Sequence, residues 1–140
     1  YHVTGFGGDL RTTPYVNDHE DPESLLKLAE VVKARIIYFA NPDNPMGTWW
    51  PADVVQKLID RVPDDCVLML DEAYGDFAPL GTVPALDMSN RNVLRFRTFS
   101  KAYGMAGVRV GYALGHPETI APFDRIRDHF GISRISQAGA

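Results

Sequence analysis

The chain has 140 residues, 45% of them apolar, with a net charge of −4 and a single cysteine, enough for one domain or part of one with a real core. Both signs of charge are dispersed and no basic run occurs, so the composition gives no basis for nucleic-acid or anionic-membrane binding. The longest apolar stretches, such as Cys66-Val67-Leu68-Met69-Leu70, are strand-sized and too short to span a bilayer.

Gly5-Phe6-Gly7-Gly8 reads as a flexible corner. No strand precedes it and no helix opens from it, so it is a turn and not a dinucleotide fingerprint. Asp9 to Val16 follows as a short strand with a polar face. Asp18-His19-Glu20-Asp21 reads as a solvated loop and not as metal ligands, with Asp21 capping a helix and Pro22 at its first position. Leu25, Leu28, Ala29 and Val32 recur at helical spacing, so one face of residues 22 to 33 is expected to pack on a sheet.

Ala34-Arg35-Ile36-Ile37-Tyr38-Phe39-Ala40 is continuous in apolar, β-branched and aromatic residues, the pattern of a buried strand. It stops at Asn41-Pro42-Asp43-Asn44-Pro45-Met46-Gly47-Thr48. Each Asn-Pro pair disfavours helical backbone at its asparagine, so both amides are expected to point away from the strand end. Trp49-Trp50 are expected to shield a surface or subunit contact. Pro51 opens a second helix through Arg61, with Val54, Val55, Leu58 and Ile59 as its apolar stripe.

The third strand, Val67 to Leu70, ends in Asp71-Glu72-Ala73-Tyr74-Gly75-Asp76-Phe77. Cys66 lies at its start and reads as an unpaired, inert core residue of a reducing compartment. No signal peptide is visible at the start of the chain, so the cytoplasm is the expected location. Val93, Leu94, Phe96 and Phe99 form a further strand arriving at Ser100-Lys101, where a buried ammonium would have to be paired or put to covalent use. Gly104, Gly107 and Gly111 then allow a sharp turn. Val108 to Leu114 follows after a connection too short for a crossover helix, so it should run antiparallel to its neighbours. His116-Pro117-Glu118 starts a helix expected to reach Phe130. The four histidines lack metal-ligand spacing.

Strands alternating with helices predict an α/β fold, a mostly parallel sheet of about five strands flanked by helices, with the last strand antiparallel. Ligands of such sheets collect at the carboxyl ends of the strands. Asn44, Asp71 and Ser100-Lys101 all fall there, delivered by three separate strands.

In order and spacing, N-P-D-N-P-M-G-T, V-L-M-L-D-E-A-Y-G-D-F and R-T-F-S-K-A-Y-G-M-A-G-V-R-V-G-Y resemble the fold type I aminotransferases that use pyridoxal 5′-phosphate. D-E-A-Y-x-x-F and the doubled N-P-x-N-P are most similar to the histidinol-phosphate aminotransferase branch. The resemblance implies that Lys101 forms a Schiff base with the cofactor and then acts as base and acid. It implies that Asp71 pairs with the pyridine nitrogen, that Asn44 and Tyr74 bond the ring's phenolic oxygen, and that Ser100 and Arg109 hold the phosphate. Thr98 is expected to add a phosphate contact, and Gly107 to let the backbone come close behind the lysine. The implied reaction moves an amino group between an amino acid, or histidinol phosphate, and a 2-oxo acid, in a homodimer when full-length. Met46 stands where many relatives carry threonine.

Both ends read as internal boundaries. The 140 residues are therefore expected to be part of the cofactor-binding large domain, without the N-terminal phosphate loop and its ring-stacking aromatic, and without the C-terminal small domain and its carboxylate-binding arginine. Such a piece alone is expected to be inactive. Two other classes share features with the chain. V-L-M-L-D-E matches the second acidic motif of P-loop nucleotidases, but no Gly-Lys pair occurs in the sequence. A ligand-sensing module of a transcription regulator, or a decarboxylase or lyase of the same fold, could keep Lys101 and Asp71.

Overall fold

The computed structural model describes residues 2–140. Its centre is a four-stranded sheet in the order β1 (Ile36–Ala40), β2 (Val67–Asp71), β3 (Val93–Thr98) and β4 (Gly111–Gly115). The first three strands are parallel and β4 is antiparallel to β3, as the short glycine connection predicts. The register sets Ala40 beside Asp71 and Asp71 beside Phe96. The carboxyl ends of the three parallel strands therefore lie along one edge.

Two helices cover one face. α2 (Pro22–Val32) is capped by Asp21, whose carboxylate accepts from the N–H groups of Glu23 and Ser24, and Pro22 fills the first turn where no donor is needed. It ends at Lys33, which is left-handed. α3 (Ala52–Asp60) follows Pro51 and buries Val55, Leu58 and Ile59. These three pack with Leu26 and Ala29 of α2 and with Ile37, Phe39, Cys66, Leu68, Leu70 and Val93 of the sheet. The buried face of α2 is rotated from the sequence expectation. Leu26 is the fully buried leucine, while Val32 is exposed at the helix end.

Because strand side chains alternate, the opposite face carries Ile36 and Tyr38, which are exposed. The continuous apolar run of β1 is thus covered on one side only. The expected strand over Asp9 to Val16 is absent, which leaves four strands instead of about five. That segment contributes a single bridge between Val16 and His19, with Pro14 lacking a donor and Arg11 paired locally to Asp9. The helix expected from His116 to Phe130 also breaks. α4 (Pro117–Ile120) gives way to a 3₁₀ turn over Ala121–Arg125 with Pro122 in its first turn, and Ile126 and Phe130 are exposed in this chain. Two short helices remain, α1 (His2–Gly5) and α5 (Arg134–Gly139).

The β2–β3 crossover contains no α-helix, only a 3₁₀ turn over Gly75–Phe77. A buried ion pair holds it. Arg95 of β3 donates to Glu72 Oε1 through Nε at 2.9 Å and Nη2 at 2.5 Å, and to the carbonyls of Ala85 and Pro84 at 3.0 and 2.9 Å. Arg97 Nε reaches the other Glu72 oxygen at 3.0 Å. No helix among the described residues is long and apolar enough to cross a membrane.

Candidate active site

Three loops leave the carboxyl edge of the parallel strands, and each brings expected site residues. The first follows β1. Asn41 corrects the expectation that both asparagine amides point outward: it is buried, donates from Nδ2 to the carbonyls of Trp50 and Thr82 and accepts from Trp50 N–H at 2.8 Å. It fastens the loop to the segment leading into α3 and to the β2–β3 crossover. Both Asn-Pro bonds are cis, and Gly47 closes the turn at φ 71° with its N–H on Asp43 O. Asn44 is left exposed at the tip. Trp50 is half-buried with its indole N–H on Glu20 O, and Trp49 is the exposed member of the pair.

The second loop follows β2. Asp71 closes the strand, and both its oxygens are held by donors from this chain, Oδ1 by Ala73 N–H at 3.0 Å and Oδ2 by the Tyr38 hydroxyl at 2.7 Å. Tyr74, three residues on, lines an open cleft of about 410 Å³ together with Asn44, Asp43, Trp49 and Phe77. The cleft is where the first two loops meet. A smaller concavity, lined by Glu23, Ser24, Lys27, Glu30 and Arg61, lies on charged helix surface and includes the exposed Arg61–Glu23 pair. It holds none of the expected site residues.

The third loop, from Phe99 to Val110, is closed at its base by Phe99 N–H on Val110 O and Met105 N–H on Phe99 O. Lys101 sits in its outer turn, where Gly104 at φ 66° donates to Lys101 O. The lysine is exposed and not buried, which corrects the sequence expectation. Its ammonium stands 5.0 Å from the centroid of the Tyr74 ring, a cation–π contact that joins the second and third loops. Among the described residues neither Lys101 nor Arg109 has a carboxylate partner. Arg109 is left-handed at φ 54°, exposed, with Nη1 on Ala106 O at 2.9 Å.

Ser100 and Thr98 differ in what they can offer. Thr98 Oγ1 accepts from Ser100 N–H at 3.0 Å and donates toward Val110 O at 3.4 Å, so its one proton is directed into the turn. The Ser100 hydroxyl makes no hydrogen bond among the described residues and remains a donor for a ligand. The glycine expectation shifts as well. A Cβ on Gly107 would meet nothing within 4 Å, whereas one on Gly111 would meet Arg97 O at 2.9 Å. The close approach that needs glycine is the β3–β4 pairing.

Carboxylates crowd the β1 side of the edge. Glu20 Oε2 accepts from Ala40 N–H at 3.1 Å. Burial, with Asp43 and Asp71 adding repulsion, pushes its carboxyl up to about 7. Asp43 is buried with one oxygen unpaired, and its carboxylate holds the Tyr15 phenol up at about 12. The sequence reading missed this cluster and the Glu72–Arg95 pair, because carboxylates in a charged loop look solvated until the strand end beneath them is known.

The family model of class I and II aminotransferases matches residues 3–140. A histidinol-phosphate aminotransferase 2 of Nitrosospira multiformis is 42% identical, covering 96% of this chain and 35% of that protein. An aromatic amino acid aminotransferase of Mycobacterium avium is also 42% identical, covering 99% of this chain and 40% of its own length. Among solved structures, histidinol-phosphate aminotransferase from Sinorhizobium meliloti in complex with pyridoxal-5′-phosphate superposes with a TM-score of 0.96 at 51% identity, over 99% of this chain and 38% of that one. The chain therefore spans well under half the length of these relatives. With a mixed sheet of matching topology and a match along nearly its whole length, it belongs to the class I and II aminotransferase family.

Proposed function

We propose that the chain supplies the cofactor-binding residues of a pyridoxal 5′-phosphate-dependent aminotransferase, acting when full-length as a homodimer on an amino acid or histidinol phosphate and a 2-oxo acid. The observation that carries the reading is the convergence of Asn44, Asp71, Tyr74 and Lys101 from three loops on one sheet edge, with Lys101 over the Tyr74 ring. The donor set fits the cofactor by its chemistry. A lysine amine with no carboxylate partner suits an aldehyde, to which it adds as the neutral amine, an unpaired guanidinium and a free serine hydroxyl suit a phosphate, and an accepting carboxylate suits a protonated ring nitrogen. The named ligand of the Sinorhizobium meliloti enzyme supports the same choice.

When bound, pyridoxal 5′-phosphate supplies an aldehyde that captures amines and a ring that takes up electrons released at the amine-bearing carbon. The remaining tasks fall to the protein. Lys101 would be the amine that anchors the cofactor by its aldehyde and, as a free amine, would hold and move the proton at the substrate's amine-bearing carbon. Asp71 would accept from the ring nitrogen and keep it protonated. Asn44 and Tyr74 would donate to the phenolic oxygen, and the cation–π contact holds the Lys101 ammonium on the Tyr74 side. Ser100 and Arg109 would orient the phosphate. Thr98, with its proton on Val110 O, shapes the turn that presents Ser100.

The test uses the full-length protein. Borohydride reduction in the presence of pyridoxal 5′-phosphate should label the peptide containing Lys101, and Lys101→Ala should lose the label, the visible absorbance and nearly all amino transfer. Label on a different lysine, or normal turnover of Lys101→Ala, overturns the reading.

A further inference from the structure

We propose that Tyr38 is a positioning residue for Asp71, holding the carboxylate in the one orientation from which it can meet the ring nitrogen of the cofactor. The inference rests on the cofactor reading given above. Tyr38 lies opposite Met69 in the β1–β2 register, and Asp71 is two residues further along β2. The strand period of two puts Tyr38 and Asp71 on the same face, diagonal neighbours within reach of a long side chain. The phenol donates to Asp71 Oδ2 at 2.7 Å while Ala73 N–H donates to Oδ1 at 3.0 Å. A carboxylate held at both oxygens cannot rotate without breaking a bond, so the lone pairs left for a third donor point in a fixed direction.

The phenol can only donate here. Burial first, then the hydrogen bond to Asp71 and the charges of Asp71, Glu20 and Asp43, all push its ionisation upward. Those carboxylates are the ionisable groups the phenol meets from its own strand end, from β2 and from the loop before α2. In this chain Tyr38 lies on the sheet face that α2 and α3 leave uncovered. Tyr38→Phe keeps the ring and its packing and removes only the hydroxyl, so it should spare the fold and act on Asp71.

The experiment compares Tyr38→Phe, the same position carrying 3-fluorotyrosine, and Ile36→Ala as a control on the same strand face, in the full-length protein loaded with pyridoxal 5′-phosphate. Tyr38→Phe should unfold at the wild-type temperature and weaken cofactor binding about tenfold, the scale of one hydrogen bond to a charged group. It should also lower kcat more than it changes KM and displace the pH midpoint of the cofactor's visible absorbance. Fluorotyrosine, a stronger donor, should restore affinity and move the midpoint the other way, and the control should leave both unchanged. Tyr38→Phe with wild-type affinity and an unmoved midpoint overturns the role of Tyr38, while borohydride labelling of Lys101 in the same sample shows that the cofactor reading survives. Wild-type protein that takes up no cofactor at Lys101 overturns both.

Discussion

Arg95 and Glu72 form an ion pair whose side chains are 3% and 1% accessible, with two of the arginine's donors on a single carboxylate oxygen. The pair lies one residue past Asp71, and Glu72 N–H also bonds Phe96 O at 2.9 Å. The direction in which Asp71 leaves β2 is therefore set by a charge network and not by a helix cap.

Removing one partner of a buried pair leaves the other charge without water or counter-ion, at a cost of about 3–5 kcal/mol. Glu72→Ala should show a loss of that size in urea unfolding. The double variant Glu72→Leu with Arg95→Met should recover part of it, and only part, because the Ala85 and Pro84 carbonyls also lose their donor. A double variant no better than the single one would mean that the carbonyl contacts, and not the ion pair, hold the crossover.

Where local signals agree with burial, the sequence could be read directly. Asp21-Pro22 starts α2, the stripe from Val55 to Ile59 faces the core, and the tight glycine turn makes β4 antiparallel. The convergence of Asn44, Asp71 and Lys101 followed from topology alone. What could not be read depends on partners distant in the chain. Arg95 looks like a surface residue in a strand until Glu72, 23 positions earlier, is seen beside it. Tyr38 merges into an apolar run, and its hydroxyl has meaning only through Asp71, 33 positions later. The helix expected past Ile120 failed for a local reason that its apolar spacing masked, since Pro122 supplies no donor in the next turn.

Glu20 gives a pH dependence with a definite sign. Burial raises its carboxyl to about 7 from 4.5, so the folded protein holds a proton that the unfolded chain has released. The associated stabilisation is complete below pH 4.5 and is lost as the pH rises through about 7. The loss should be on the order of 1–2 kcal/mol, below the full linkage value because the side chain is partly in water. Glu20→Gln keeps an acceptor for Ala40 N–H and should flatten this slope while stabilising the protein at pH 8. Denaturant titrations of the variant with the wild-type slope would assign the effect to other carboxylates.

Cys66 is fully inaccessible in the core, and burial pushes its thiol upward, away from the reactive thiolate. Labelling of the native protein by a thiol reagent should be about a hundredfold or more slower than in denaturant, limited by opening of the sheet. Native labelling at the denatured rate would contradict a packed β2.

Arg109 combines a charge expected to serve the phosphate with a backbone conformation that side chains disfavour, φ 54° and ψ 48°. Substitution can separate the two. Arg109→Gly and Arg109→Ala both remove the guanidinium, so both should weaken pyridoxal 5′-phosphate binding in the full-length protein to a similar extent, about tenfold or more for a charged bidentate contact. They differ in the strain they leave behind. Glycine adopts the left-handed region without a Cβ clash, so in the cofactor-free protein the glycine variant should exceed the alanine variant by about 1 kcal/mol. Arg109→Lys keeps the charge without the planar fork and should fall between wild type and alanine in affinity. If the glycine variant retained wild-type affinity while alanine lost it, the requirement at this position would be the turn and not the charge, and Ser100 with the loop's backbone N–H groups would remain to hold the phosphate.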